Sequence, residues 1–443
     1  MEYAVPARES RHAVLRGVGL LVGAGLLTAF ATELALLLYS HPPSVLVLLG
    51  FTVVLLGSLA LAVFSFEAAV VVGVLLMAAV RVEPAPTDVV FAVLMAVALT
   101  TSRFRLRRVL PGAVLVVGAF IGFNLLSAIN AASPGRAVGF LGITIYVAVL
   151  GLWLASHVTS SPVARRLARA YVVVAVASAV LSTLALFVPF PGHHLLTRIG
   201  RAEGLFKDPN VFGPFLVPAA LIVFEEIVTP RLFPGRRWAK LLAFFALTLG
   251  VVFSYSRAAW LNLVLGVVVV LVILAFRRGG GRRAAQALAV VAVAIGAVGA
   301  AVAFTGSLSF LEERAKVQNY DSGRFGAQSE SIAWATRHPF GIGPGQFEHH
   351  GHISAHSMYA RALAEEGFPG LVALLVLLLA TLAWAGRNAV LGRDTYGIGS
   401  AALLGAWCGI LANSAFVDTL HWRHLWVVAA LIWAAASRPS RSS

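Results

Sequence analysis

The chain has 443 residues, 59% of them hydrophobic and only 12% charged, with a net charge of +15. A soluble domain carries about 25% charged residues, so this composition excludes a set of soluble domains of the same total length. The basic residues stand in short clusters between long apolar stretches, which excludes the continuous basic face of a nucleic-acid binder and marks a polytopic membrane protein.

A helix crossing a hydrocarbon core of about 30 Å needs roughly 20 apolar residues. Fourteen stretches qualify, near 14–38, 45–64, 67–82, 86–100, 109–129, 137–157, 170–189, 211–229, 239–256, 258–275, 284–305, 368–387, 397–416 and 422–437. The third and fourth are short, so the count runs from twelve to fourteen. Runs of Leu, Val and Ala mean helices and not a barrel, because backbone groups in lipid must bond within their own segment. The predicted fold is therefore all-α, a bundle of about 14 transmembrane helices.

The first stretch follows Arg8, Arg11 and Arg16 without a small-residue cleavage site and reads as a retained helix. Basic clusters then recur at alternate connections: SRFRLRR, ARRLAR, PRLFPGRRWAK, FRRGGGRR, GRNAVLGRD and the tail SRPSRSS. Positive residues favour the cytoplasmic side, which places both termini there. Glu33, Glu67 and Asp88 lie in or beside apolar runs and are expected to pair with arginines or to sit at interfaces. The single cysteine, Cys408, lies in an apolar run and reads as a small core residue.

Two outward segments interrupt this pattern, one near 191–210 and one, the only long polar stretch, near 306–367. The chain thus divides into N-terminal membrane helices (1–189), central helices with an outward motif loop (190–305), a large extracytoplasmic loop (306–367) and C-terminal helices (368–443). Within the large loop the spacing predicts a short helix over 326–336. A second is predicted from near His356 to Glu366, stopped by Gly367 and Pro369.

Four outward basic residues carry the candidate chemistry. Arg201 stands close to Lys207, Asp208 and Asn210; Arg257 follows Ser254, Tyr255 and Ser256; Arg324 sits mid-loop; His356 opens HSMYARALAEEGFPG. Arginine at a membrane boundary is costly unless paired or facing water, and its planar fork matches phosphate oxygens two at a time. A neutral imidazole at a helix start is a suitable general base. His349, His350, His352 and His356 invite a zinc reading, but Gly351 and the helix start break the register of a usual three-ligand site, and no metal is predicted. The pattern GIGPG reads as a loop and not as a phosphate cradle.

RAEGLFKDPNVFG, SYSRAAW, HPFGIGPGQF and HSMYARALAEEGFPG, in that order, resemble the O-antigen ligase and polymerase superfamily. The resemblance implies a GT-C-like glycosyltransferase of the bacterial cytoplasmic membrane. Such enzymes pass a glycan from an undecaprenyl (polyprenyl) diphosphate carrier to an acceptor hydroxyl on the outer face. The acceptor is lipid A–core in ligases and another carrier-linked unit in polymerases. Arg201, Arg257, Arg324 and His356 match the family's functional residues; here Ser357 follows the histidine where ligases usually have Asn. The implied reaction needs no metal or other cofactor. Arg257 and Arg201 would hold the diphosphate with Arg324, His356 would take the acceptor proton, and Lys207, Asn210, Tyr359 and Glu365 would contact substrate. The partners are the carrier-linked glycan, a lipid or glycan acceptor and the bilayer, with no nucleic acid. The alternative is a flippase for lipid-linked oligosaccharides, whose marks are paired broken helices or several charges deep in spans.

Overall fold

The computed structural model describes residues 45–277, 280–316, 319–350 and 354–437. The expected first span at 14–38, with Glu33, lies outside them. Among the described residues the protein is all-α apart from one two-stranded ribbon. The first helices are α1 (Val45–Phe64), α2 (Phe66–Leu76), α3 (Pro86–Thr100), α4 (Pro111–Ser127), α5 (Pro134–His157) and α6 (Ser161–Leu184). The ribbon follows, β1 (Thr197–Arg198) with β2 (Arg201–Ala202). The central helices are α7 (Pro209–Val228), α8 (Arg237–Phe253), α9 (Arg257–Phe276) and α10 (Gly280–Phe304). Four shorter ones occupy the large loop: α11 (Leu308–Ala315), α12 (Asn319–Arg337), α13 (Phe347–His350) and α14 (Met358–Glu365). The chain closes with α15 (Gly367–Val390), α16 (Ser400–Asn413) and α17 (Arg423–Ala436).

Each expected apolar stretch within the described residues coincides with a helix. Among the described residues seven helices are long and apolar enough to cross a membrane (α4, α5, α6, α7, α9, α10 and α15), and α1, α2, α3, α16 and α17 are shorter apolar helices. This is a multi-pass membrane protein. Several helices begin with proline in the first turn, at Pro86, Pro111, Pro134 and Pro209, where its missing N–H leaves no bond unmade.

The sequence reading erred at several boundaries. The third stretch was expected to run to 82, but α2 stops at Leu76. The chain beyond bonds to another segment instead: the Val80 amide donates to the Leu205 carbonyl at 2.9 Å. In the large loop the first helix begins at 319 and not 326, and α11 precedes it. The second begins at Met358, because the Ser357 hydroxyl caps it by accepting from the Ala360 amide at 3.3 Å.

The bundle is centred on α7. Of its apolar window 89% is buried, against 17% for α10, which therefore lies at the rim. Lipid offers no hydrophobic drive between helices, so close backbone approach through small residues supplies the packing. On α9 and α16 a Cβ added at Gly405 would stand 2.6 Å from the Gly266 carbonyl oxygen. On α7 and α9, Gly213 faces Ser254 and Ala259.

Charges gather at the two ends of the bundle. At one end Glu226 accepts from the Leu232 amide (2.9 Å) and from Lys240 (3.1 Å). There Glu225 accepts from the Ala402 amide (2.7 Å), while Arg231 reaches Asp394 (2.5 Å) and Arg277 reaches Glu225 (3.4 Å). These bonds tie α7, α8, α9 and the α15–α16 connection together. Glu67 pairs with Arg166 at 3.3 Å, and Asp88 pairs with Arg423 while accepting from the Tyr146 hydroxyl at 3.0 Å. Both acidic residues thus find the arginine partners expected of them.

Candidate active site

At the other end, α7 and α9 begin, α8 ends, and the ribbon and large loop meet. The ribbon turns at Ile199 and Gly200, with φ of +49° and +69°. Two successive positive φ values make the tight turn whose twist suits a hairpin. The register sets Arg198 directly opposite Arg201. Like charges across a strand pair destabilise it, so the turn spends stability to present two guanidinium groups side by side. The Arg198 guanidinium donates to the Lys207 carbonyl at 2.8 Å.

Arg201 connects two of the motifs. Its Nε donates to the Ser254 carbonyl at 2.8 Å and its Nη2 to Asn210 Oδ1 at 3.1 Å. Asn210 is set in the first turn of α7, where Asp208 caps the helix by accepting from the Asn210 amide at 2.6 Å. Ser254 ends α8, and the next residue, Tyr255, is left-handed with φ +49°. The Tyr255 ring is buried edge-on against Phe310 of α11 at 4.5 Å. Ser256 then caps α9, whose first residue is Arg257.

A cleft of about 260 Å³ opens here, lined by Arg198, Ile199, Arg201, Asp208, Pro209, Asn210, Arg314 and Arg324. Four arginines face one carboxylate. Arg201, Asn210 and Arg324, singled out in the sequence, are on its wall. Arg198 and Arg314 were missed; the only sequence signal was the basic pair spaced three apart around Ile199-Gly200. Arg257 and Lys207 are not on the wall. Arg257 Nη1 donates to the Lys316 carbonyl at 3.1 Å, joining α9 to the end of α11, and Lys207 pairs with Glu83 at 2.6 Å.

His356 precedes the cap of α14 and has φ +46°. A non-glycine residue in that region costs about 1–2 kcal/mol, so neighbouring bonds must hold it; the Met358 amide donates to the Ser414 carbonyl at 3.0 Å. Burial lowers the affinity of its imidazole for a proton, the Arg324 charge lowers it further, and Asp208 opposes both. Two cleft residues therefore lie within electrostatic reach of His356. Of the other histidines, His352 and the side chain of His350 lie outside the described residues.

Tyr359 and Glu365 are engaged elsewhere. The Tyr359 hydroxyl donates to the Leu411 carbonyl at 2.9 Å, and burial pushes its phenol up to about 12. The buried Glu365 carboxylate accepts from the amides of Gly345 (2.8 Å) and Phe347 (3.0 Å). Burial raises it to about 7, against the opposing pull of Arg361 and these two amides. It thus clamps the GIGPG turn, whose Gly341, Gly343 and Gly345 all have positive φ. The turn's amides all donate within the protein: Gly341, Ile342 and Gly343 to the carbonyls of His338, Ala364 and Glu365, and Gly345 to the Glu365 carboxylate. Gln346 and Asn130 fasten the turn to the α4–α5 connection, with Gln346 Oε1 accepting from the Ser133 amide at 2.9 Å and Asn130 donating to Gly341 O at 3.0 Å.

No curated protein matches the chain. Residues 242–375 match the family model described as O-antigen ligase. That span takes in Arg257, Arg314, Arg324 and His356 and begins downstream of the Arg198–Arg201 hairpin. Over this stretch, which holds the start of α9, the large loop and the start of α15, the chain is similar to the O-antigen ligase family.

Proposed function

We propose that the protein transfers a glycan from a polyprenyl diphosphate carrier to an acceptor hydroxyl at the outer face of a bacterial cytoplasmic membrane, with both termini on the cytoplasmic side. The observation that carries this reading is the cleft wall, which gathers Arg198, Arg201, Arg314 and Arg324 around Asp208. Such a concentration of guanidinium groups at the end of a membrane bundle suits a doubly charged lipid headgroup.

In the reaction the acceptor oxygen attacks the anomeric carbon as the bond from that carbon to the diphosphate oxygen breaks. The leaving group gains negative charge, and positive groups already in place stabilise that charge without reorganising. Arg201 and Arg324 do this from the wall. Arg257 acts from the adjoining start of α9. His356 takes the acceptor proton, since its lowered proton affinity keeps the imidazole neutral near pH 7. Side-chain cations supply the positive charge, and transfer is expected to persist in EDTA.

The test is reconstitution in nanodiscs with a polyprenyl diphosphate glycan, with and without a separate acceptor. Growth of the glycan without added acceptor marks a polymerase and a single capping event marks a ligase. His356→Ala and Arg201→Ala are expected to lower transfer by about 10²-fold or more while inserting normally. Full activity in either variant defeats its assignment.

A further inference from the structure

Arg361 is a cation that the cleft chemistry leaves unused. It lies on α14, 6% exposed, one turn beyond the cap that follows His356. Its Nη2 donates to Glu348 Oε1 at 2.5 Å and to Ser354 Oγ at 3.2 Å, and its Nε lies 3.0 Å from Asp418 Oδ2. The guanidinium carbon stands 5.3 Å from the centre of the Phe140 ring. The four contacts come from α13, the stretch before α14, the α16–α17 connection and α5. One side chain therefore joins four separate stretches around the histidine.

The geometry assigns Arg361 as the positioning residue for His356. Through Ser354, two positions upstream, it holds the 354–357 stretch so that His356 keeps its left-handed backbone and its imidazole stays within electrostatic reach of Arg324 and Asp208. This rests on the reading of His356 as the base. Two carboxylates lie against Arg361, so its charge is largely balanced and it acts by geometry. A rigid fork serves several acceptors at once, whereas a lysine ammonium is a single point on a flexible stem.

Positioning and simple scaffolding differ in what they move. The charged groups facing His356 are Arg324 from α12, Asp208 from the start of α7, Glu348 from α13 and Arg361 from α14. If the 354–357 stretch loosens, the imidazole gains water and its proton affinity returns toward that of a free histidine. The acid limb of the rate profile then moves to higher pH.

The experiment compares Arg361→Lys and Ser354→Ala with the parent chain in nanodiscs, using a polyprenyl diphosphate glycan. Misplacing a reacting group by about 1 Å costs on the order of a hundredfold, so Arg361→Lys is expected to lower kcat by about that factor. Donor KM should stay within about twofold, because the cleft wall that binds the donor is untouched. The acid limb should rise in pH, and Ser354→Ala should give a smaller change of the same sign. Parental kcat and an unmoved acid limb in either variant overturn the proposal. Should Arg361→Lys fail to insert, Ser354→Ala decides alone, since it keeps the Arg361–Asp418 pair. His356→Ala in parallel separates the two readings: full activity there removes the base assignment itself, not just its positioning.

Discussion

Three side chains show how burial and partner choice set a residue's role. Glu365 and Glu366 are adjacent, and both carboxyls are raised, by burial first. Glu365 is satisfied by two amides, whereas Glu366 Oε2 is buried without a hydrogen-bond partner. Glu365→Gln should therefore weaken the loop by about 1.5–3 kcal/mol, the worth of a bond to a charged group, seen as faster proteolysis of 338–350. Glu366→Gln should leave that rate unchanged. For His356 the folded-state proton affinity lies below the ordinary value near 6.5. The base stays neutral further into acid, and the midpoint of the acid limb is expected below 6.5. By the same sign, protonation disfavours the folded turn, so stability falls as pH drops below 6.5.

At the scale of elements, the Arg198–Arg201 hairpin is the most informative. Ile199 is a β-branched residue at positive φ, 88% exposed at the turn. Glycine there removes the strain, so Ile199→Gly should insert and fold at least as well as the parent. Arg198→Ala should raise donor KM and flatten its dependence on salt, because screening acts most on exposed charges; binding isotherms at two ionic strengths measure both. The hydropathy of the helices was readable from residue order alone, and each apolar stretch within the described residues became a helix. The ends were less legible. A capping hydroxyl at Ser357 and the strand-like bond from Val80 to Leu205 moved boundaries by several residues, and neither is a property of composition.

For the whole molecule, tight contacts between small residues hold α9 against α16 and α7 against the turn at Ser254. Gly405→Ala places a methyl against the Gly266 carbonyl, and overpacking of this kind costs about 1–3 kcal/mol. It should lower the melting temperature in detergent while leaving donor KM unchanged, since the cleft lies beyond the start of α9, away from the Gly266–Gly405 contact. The charges separate by end: Glu225, Glu226, Arg231, Arg277 and Asp394 brace one end, and the arginine cleft opens at the other. The net charge of +15 thus combines connections that brace the bundle with a few groups that line the cleft.

The sequence by itself determined the membrane class, the positions of the apolar helices and the kinds of side chain available to meet an anion. It also marked Arg201, Asn210 and Arg324, which share one cleft, and His356, which lies within electrostatic reach of two of that cleft's residues. These follow from hydropathy and residue type, which act locally along the chain. Tertiary structure decided that Arg198 and Arg314 join the cleft, that Glu365 serves a glycine turn twenty residues upstream, and that Arg361 ties four stretches together. Those outcomes depend on which helix ends meet. Meeting is set by the packing of small residues far apart in the chain, a geometric property that residue order expresses only when folded.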